Sequence, residues 1–368
     1  MVLLPKKKLL IVDDSAFMRK LIGDFFKESN VIEVVGIARN GKDAIQKIKA
    51  LKPDVVTLDV EMPEMNGLDA LKQIMTETPV AVVMLSSTTQ KGTEITLQAM
   101  AYGAVDFVAK PSGTISLDLH KIKEELVEKV ENAAQVTISK LNKETTKLLK
   151  TKPTLLDRKT IANNLMSTKR VSKWSKATKK MVLIGTSTGG PRALQEVITK
   201  LPKNIPAPVL IVQHMPAGFT KSLAERLNQL AEIEVKEAEN GDIIRNGHAY
   251  IAPGGYHMKI QKIGSTYSII LDNEEAPRAG HRPAVDVLFE ESSHYNDFDK
   301  IAVIMTGMGS DGSKGLMQLK KNGNVVAIAE SAESCIVYGM PKAAVETNLV
   351  NEIVDLENIA KAIIQYLP

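Results

Sequence analysis

Residues 181–192, MVLIGTSTGGPR, carry a serine in a glycine-rich turn that follows an apolar run. The stretch 185–189, GTSTG, fits the G-x-S-x-G pattern, in which small neighbours let a nucleophilic hydroxyl stand clear between a strand and a helix. Pro191 suits the first turn of a helix, whose free N–H groups favour developing negative charge. A serine in such a turn is more often a helix cap than a nucleophile, so this interpretation depends on partner residues.

Two such partners follow later apolar runs. His214 ends PVLIVQH, and Asp311 lies in the glycine-rich turn after IAVIM. If these runs are neighbours of the strand that leads into Ser187, the three side chains meet at the carboxyl edge of one parallel sheet. We therefore predict Ser187 as nucleophile, His214 as general base and Asp311 as the acid that orients the imidazole. The chain order Ser, His, Asp differs from that of α/β-hydrolases, chymotrypsin and subtilisin.

The same turn could instead hold a phosphate group. It lacks both the G-x-G-x-x-G pattern and the lysine of a P-loop, however, and the next strand ends in Gln213 and His214 rather than in an acid that would bind a ribose. These features weaken a nucleotide-binding interpretation of the second half.

Three other residues compete for the base and acid roles: His281, His257 and Asp286. His281 lies in a polar loop, APRAGHRPAVD, and we expect it to meet substrate rather than to act as base. His257 lies in a strand-like run and is expected on the surface. The histidine spacings support no metal site, so we expect no cofactor in this half of the chain.

A second set of reactive side chains follows apolar runs in the first 110 residues. Asp13 and Asp14 come after KLLIV, Asp59 ends DVVTLD, Ser86 ends VAVVMLS, and Lys110 ends AVDFVAK. Three crowded carboxylates repel one another unless a hard cation lies between them, and oxygen ligands suit Mg²⁺. A phosphoryl group on Asp59 would be held by Mg²⁺, by Lys110 and by the Ser86 hydroxyl.

Alternating strands and helices must position both of these sets of reactive side chains. Five short apolar runs between Lys8 and about residue 110 alternate with helical stretches, which predicts a parallel sheet covered on both faces. A fifth helix is expected to place Leu119, Ile122, Leu126 and Val130 on one stripe. From residue 181 the alternation resumes, interrupted by a hairpin-like passage, AYIAPGGYHMKIQKIGSTYSIILD. The predicted fold is α/β, with a flavodoxin-like first domain and a doubly wound second domain that carries an antiparallel hairpin.

A basic segment separates the two halves. Residues 136–180 hold 11 lysines and two arginines against Glu144 and Asp157, although the whole chain carries a formal charge of only +4. Such a segment is more often a solvated linker than a nucleic-acid site, and Trp174 is its only aromatic residue for base stacking. We therefore expect no nucleic-acid partner. The predicted division of the chain is 6–125, 126–178 and 179–368.

Length and composition limit the class of protein. A chain of 368 residues with 44% hydrophobic residues is long enough for two globular domains. No apolar run approaches the ~20 residues of a membrane helix, and the N-terminus does not fit a secretory signal. A single cysteine, Cys335, suits a reducing compartment. We expect a cytoplasmic protein that does not insert into a membrane.

The first 125 residues or so resemble the receiver domain of two-component response regulators. The resemblance is carried by Asp13, Asp14, Asp59, Ser86 and Lys110–Pro111. It implies that Asp59 accepts a phosphoryl group from a histidine kinase. It also implies that Mg²⁺ binds to Asp13, Asp14, Asp59 and the backbone carbonyl of Glu61, and that Phe107 occupies the aromatic switch position.

The motifs GTSTGGP, QHMP and TGMGSDG, behind a receiver and a basic linker, are similar to those of the CheB family of chemotaxis protein-glutamate methylesterases. The resemblance covers nearly the whole chain and implies the triad Ser187, His214 and Asp311, with the backbone N–H of Met308 helping to bind the oxyanion. It implies hydrolysis of glutamate methyl esters, and deamidation of glutamines, on the cytoplasmic domains of chemoreceptors. It further implies that the unphosphorylated receiver covers the active site.

Two other classes of function remain open at this point. One is a phosphorylation-controlled binding protein whose second domain is catalytically inactive. The other is a DNA-binding response regulator, which should carry a helix-turn-helix or a basic recognition helix in its second half. That half is instead rich in strands and not notably basic.

Overall fold

The computed structural model describes residues 5–110, 116–137, 174 and 177–368, with the side chains of the helix over 116–133 described from Ile122 onward. Most of the predicted linker, together with Pro111 and the side chain of Leu119, lies outside these residues. The helix itself runs to Ala133, past the predicted boundary at residue 125. Its side chains Leu126 and Val130 are buried, and Ile122 packs against the same core.

The first sheet has the five parallel strands that the sequence predicts, and their order is β2-β1-β3-β4-β5. They are β1 (Lys7–Val12), β2 (Ile32–Ala38), β3 (Val55–Asp59), β4 (Ala81–Ser86) and β5 (Asp106–Ala109). The inner strands β3 and β4 are buried along their whole length, which is the burial expected of a parallel sheet with helices on both faces.

Five helices cover this sheet. They are α1 (Ala16–Phe26), α2 (Gly41–Leu51), α3 (Gly67–Glu77), α4 (Gln90–Ala101) and α5 (Ser116–Ala133). The first four begin at a polar residue whose side chain accepts a hydrogen bond from the first turn, namely Ser15, Asn40, Asn66 and Thr89. Such caps satisfy N–H groups that have no partner within the helix, and they fix where each helix starts after its strand.

The second sheet has seven parallel strands in the order β14-β13-β12-β6-β7-β9-β8. They are β6 (Lys179–Thr186), β7 (Val209–Gln213), β8 (Glu234–Glu237), β9 (His248–Ile251), β12 (Phe298–Ile304), β13 (Val325–Glu330) and β14 (Glu352–Val354). Strand β6 lies between β12 and β7, so the segments that follow these three strands leave the sheet side by side. The predicted α/β fold with two sheets is confirmed.

The antiparallel hairpin is shorter than the predicted passage. It consists of β10 (His257–Ile263) and β11 (Thr266–Asp272). The start of the passage, Ala249–Ile251, belongs to strand β9 of the main sheet instead, where all three side chains are buried. An apolar run this short does not show whether its partner is parallel or antiparallel.

Six helices accompany the second sheet. They are α6 (Gly190–Ile198), α7 (Phe219–Leu230), α8 (Val285–Ser293), α9 (Ser313–Asn322), α10 (Met340–Glu346) and α11 (Leu356–Tyr366). Helix α4 of the first domain packs against α6 and α7 of the second. At this contact the hydroxyls of Thr93 and Ser222, both buried, lie 2.8 Å apart. None of the helices described is both long and apolar enough to cross a membrane.

Candidate active site

Ser187 lies in a tightly bonded turn between β6 and α6. Its N–H donates to the carbonyl of Thr306 (3.0 Å), and its own carbonyl accepts from the N–H of Gly190 (2.7 Å). Gly189 caps the helix with φ +77°, in the left-handed region that favours glycine. The turn therefore has the strand-to-helix form that presents a nucleophile.

Gln213, the last residue of β7, ties this turn to the neighbouring strand. Its buried amide Nε2 donates to the carbonyls of Ser187 (2.9 Å) and His214 (3.1 Å), and its Oε1 accepts from the Thr186 hydroxyl (2.6 Å). A Cβ added at Gly190 would lie 1.8 Å from Oε1, so any side chain there would displace the Gln213 amide. The sequence indicated Gln213 only as the end of a strand, although an amide at the end of a buried strand signals a need for partners.

His214 and Asp311 form a buried pair at the same edge of the sheet. Nε2 of His214 lies 2.8 Å from Oδ2 of Asp311, and each side chain is only 5% exposed. The second ring nitrogen, Nδ1, is buried without a hydrogen-bond partner among the described residues. That nitrogen is the one left to accept a proton from a nucleophile, although no hydrogen bond joins His214 to Ser187 in this structure.

Backbone groups hold the acid of this pair. The N–H groups of Val285 and Asp286, at the start of α8, donate to the carboxylate of Asp311 at 2.7 and 2.8 Å. Burial alone would raise the pKa of Asp311, but the bond to His214 and these N–H groups hold the pKa below its ordinary value. The carboxylate is therefore ionised at neutral pH and can stabilise an imidazolium on His214.

Two of the competing residues lie outside the proton-transfer pair. His257 is fully buried, contrary to the prediction of a surface position, and its Nε2 lies 3.2 Å from the carbonyl of Ala276. The alternating pattern of the strand did not reveal that α8 packs against β10. Asp286 accepts hydrogen bonds from the N–H groups of Gly312 and Gly315 and so braces the turn that carries Asp311.

Met308 lies in the turn that links β12 to α9, beside the nucleophile. A Cβ added at the preceding Gly307 would come within 2.8 Å of the Ser187 Cβ, so this turn passes directly over the serine. The N–H of Met308 has no acceptor among the residues that the structure describes. It is thus a donor available to a negative charge that develops near Ser187.

The predicted acidic cluster forms at the carboxyl edge of the first sheet. Asp13, Asp14 and Asp59 each offer an oxygen, and these oxygens lie within 4.8 Å of one another. Nζ of Lys110 lies 2.8 Å from Asp13 and 2.7 Å from Asp59. Burial raises the pKa of Asp59 to about 6 in spite of this ammonium group. Closely spaced carboxylate oxygens with an exposed member, Asp14, fit a hard divalent cation such as Mg²⁺.

The other residues predicted for this site are close to it but bonded differently. The Ser86 hydroxyl donates to the carbonyls of Ser87 and Gly92, both at 3.1 Å, rather than to Asp59. The backbone N–H of Glu61 donates to Asp59 at 3.4 Å. These contacts put Ser86 at the carboxyl edge, beside the loop that leads into α4.

Phe107 connects the two domains. Its ring is buried and stacks on Phe219 at the start of α7, with centroids 4.4 Å apart. The preceding residue, Asp106, accepts a hydrogen bond of 2.5 Å from the hydroxyl of Thr188, the residue after the candidate nucleophile. The sequence indicated Phe107 as a switch position but gave no sign of its partner.

Helix α5 closes the same face of the second domain. Lys129 is 17% exposed at its side chain, donates to the carbonyl of Phe107 (2.7 Å) and pairs with Asp106 (3.3 Å). The amide of Asn132 contacts the sulfur of Met308. A cavity of about 450 Å³ lies between this helix and Met308. The first domain therefore lies directly over the loops that carry the candidate active site.

Comparisons with known proteins cover both halves of the chain. Residues 182–363 match the family CheB methylesterase, and residues 9–121 match the response regulator receiver domain. The protein-glutamate methylesterase/protein-glutamine glutaminase of Halalkalibacterium halodurans is 54% identical over 358 residues, or 97% of each chain. The Bacillus subtilis protein of the same name is 51% identical over 357 residues, again 97% of each chain. The solved catalytic domain of Thermotoga maritima CheB methylesterase is 41% identical and covers 54% of this chain and 100% of its own, with a TM-score of 0.49.

The relatives match this chain almost from end to end, receiver and second domain together. This agrees with the resemblance predicted from GTSTGGP, QHMP and TGMGSDG. The chain belongs to the CheB family, in which a response regulator receiver domain precedes a methylesterase domain.

Proposed function

We propose that this protein hydrolyses glutamate methyl esters on the cytoplasmic domains of chemoreceptors, and deamidates glutamines there, under the control of phosphorylation at Asp59. The observation that carries the proposal is the buried His214–Asp311 pair, which follows strands on either side of the strand that leads into Ser187. The relatives named for both activities support the same conclusion. The chain would act in the cytoplasm, where these receptor domains lie.

The geometry suggests one path for the reaction. Ser187 attacks the ester carbonyl while Nδ1 of His214, the nitrogen not bonded to Asp311, accepts the hydroxyl proton. The N–H of Met308 stabilises the oxyanion. The imidazolium then gives its proton to the departing methanol, which leaves an acyl-enzyme on Ser187. Water hydrolyses this ester to release the free glutamate, and a glutamine amide would react through the same intermediate with loss of ammonia.

The receiver supplies the control. A histidine kinase would transfer a phosphoryl group to Asp59, and Mg²⁺ held by Asp13, Asp14, Asp59 and the carbonyl of Glu61 would neutralise its charge. Lys110 already lies within 2.7 Å of Asp59 and would contact the phosphoryl oxygens. The Ser86 hydroxyl would have to leave the carbonyl of Gly92 to reach them. We propose no cofactor for the esterase domain.

Contacts between the domains support a covered, low-activity state. Asp106 bonds to Thr188 beside the nucleophile, and Phe107 stacks on Phe219. Movement of Phe107 on phosphorylation would weaken both contacts, because Phe107 forms the ring stack and directly follows Asp106. Movement of Ser86 would reach Phe107 through the pairing of β4 with β5. Phosphorylation then favours an arrangement in which substrate reaches Ser187.

A serine-directed fluorophosphonate tests the esterase proposal without a receptor. We expect one phosphonyl adduct, located at Ser187 by mass spectrometry, that forms faster with Mg²⁺ and acetyl phosphate than without them. His214→Gln should slow its formation by about 10²-fold or more because the general base is lost. If Asp59 is phosphorylated and no adduct forms, the second domain is a catalytically inactive module, and the alternative of a phosphorylation-controlled binding protein holds.

A further inference from the structure

His281 has no part in the proposed proton transfer, yet its ring lies against the candidate base. The imidazole rings of His281 and His214 are stacked, with centroids 3.8 Å apart and planes inclined by only 13°. The loop position of His281 suggested a contact with substrate. The structure instead directs one face of its ring at His214.

The segment that carries His281 is held in place at several points. His281 and Arg278 exchange two backbone hydrogen bonds (2.9 and 3.0 Å), and Arg278 pairs with Glu275 and Glu290. The guanidinium of Arg282 donates to two backbone carbonyls of the same loop. Because of these bonds, the His281 ring is a fixed surface rather than the tip of a free loop.

The same segment also orients the acid. Three and four residues after Arg282, the N–H groups of Val285 and Asp286 bind the carboxylate of Asp311. The stretch from 278 to 286 therefore contacts the base through a ring and the acid through two hydrogen bonds. This arrangement ties the relative positions of His214 and Asp311 to one element.

The surroundings keep His281 uncharged at neutral pH. Burial, together with the neighbouring His214, lowers the pKa of His281 to about 4. Asp311, together with Lys129 and Glu125 of the receiver helix α5, also faces the ring. A neutral ring is required at this place, because a second cation would oppose formation of the imidazolium on His214.

We propose that His281 is a positioning residue that fixes the ring plane of His214 for proton transfer; the proposal rests on the proposed esterase function. The bond from Nε2 to Asp311 anchors one nitrogen but leaves the ring free to tilt about that anchor. The flat ring of His281, whose centroid lies 3.8 Å from that of His214, removes this freedom and directs Nδ1 toward the serine. Small misplacements of reacting groups lower rates by up to about 10²-fold.

The test compares ring-free and ring-bearing substitutions in the full chain with Mg²⁺ and acetyl phosphate. Methanol release from carboxyl-methylated chemoreceptor membranes gives kcat and KM for wild type, His281→Ala, His281→Leu and His281→Phe. We expect the Ala and Leu variants to lose about 10- to 100-fold in kcat with KM changed less than twofold. The Phe variant, which keeps a flat uncharged ring, should recover most of kcat.

Three other kinetic results would overturn the inference. If the Ala and Leu variants keep the wild-type kcat, the stacked ring of His281 does not contribute to proton transfer. A Phe variant as slow as Ala, or a rise in KM at constant kcat, would mean that His281 contacts substrate through its nitrogens. If wild type itself releases no methanol, the proposed substrate is wrong. The rate of fluorophosphonate labelling at Ser187 in the same four chains then tests the positioning role by itself.

Discussion

At the scale of single residues, Asp311 stays ionised although its side chain is buried. Transfer of a carboxylate out of water is unfavourable, and here the bond from His214 and two N–H groups of helix α8 offset that cost. The negative charge is therefore fixed beside the imidazole that would become positive in the proposed reaction. The same bond occupies Nε2 of the imidazole and, in the proposed reaction, leaves Nδ1 for the serine.

Asp311→Asn should lower kcat for methanol release by about 10³- to 10⁴-fold with little change in KM. The amide keeps the shape of the side chain but lacks the charge that holds His214 in the productive tautomer. Asp297→Asn is the matched control, because Asp297 is an exposed carboxylate that pairs with Lys262 of the hairpin. A loss of less than tenfold in Asp311→Asn would contradict the assigned role.

The pKa of His281 gives a prediction for stability. Its ordinary value of 6.5 falls to about 4 in the folded chain. Between pH 6.5 and pH 4 the His281 ring is therefore protonated in the unfolded chain but neutral in the folded chain. The folded chain therefore keeps its full free energy of unfolding above pH 6.5 and loses part of it as the pH falls toward 4, because protons bind preferentially to the unfolded chain. From pH 7 to pH 5, wild type should lose about 2 kcal/mol more free energy of unfolding than His281→Phe. Urea unfolding of both chains at the two pH values measures the difference, and equal losses would contradict it.

At the scale of elements, strand ends were the informative feature of the sequence. Apolar runs that stop at Asp13, Asp59, Ser187 or His214 placed these residues at sheet edges, because parallel strands share a direction. The pairing of β9 and the burial of His257 were not predictable in this way, since both depend on neighbours distant in sequence. The stacking of His281 on His214 was hidden for the same reason.

Gly190→Ala should disrupt the element that presents the nucleophile. The added Cβ would lie 1.8 Å from Oε1 of Gln213, so the amide must move and release the carbonyls of Ser187 and His214. We expect at least a tenfold fall in fluorophosphonate labelling and a lower urea midpoint.

Gly23→Ala is the control for this substitution. Gly23 lies within helix α1, and a Cβ there meets no atom within 4 Å. The change should leave labelling unaltered and raise the free energy of unfolding by about 0.5–1 kcal/mol, the usual gain from alanine in a helix. Equal labelling in both alanine variants would show that the Gly190 turn tolerates a side chain.

At the scale of the whole molecule, the receiver lies on the esterase through helix α4, strand β5 and helix α5. The contact combines a ring stack, a hydrogen bond to the residue after the nucleophile and a pair of buried hydroxyls. None of these alone is strong, so a phosphoryl group needs to shift the balance between two arrangements by only a few kcal/mol.

Thr93→Arg should raise methanol release in the absence of a phosphodonor by about tenfold. Thr93 is buried against Ser222, so a long charged side chain there opposes the docked arrangement, and a loss of about 1.4 kcal/mol corresponds to that factor. Thr76→Arg, at an exposed position of α3, should leave the unstimulated rate unchanged. A rate that does not rise in Thr93→Arg would contradict the covered state.

The most direct test of the account is methanol release from carboxyl-methylated chemoreceptor membranes by wild type and Ser187→Ala, each with and without Mg²⁺ and acetyl phosphate. We expect release that increases with the phosphodonor in wild type and is absent from Ser187→Ala under both conditions. Release by Ser187→Ala at the wild-type rate, or no release by wild type whose Asp59 is phosphorylated, would contradict the central claim that this chain is a serine esterase switched by its receiver.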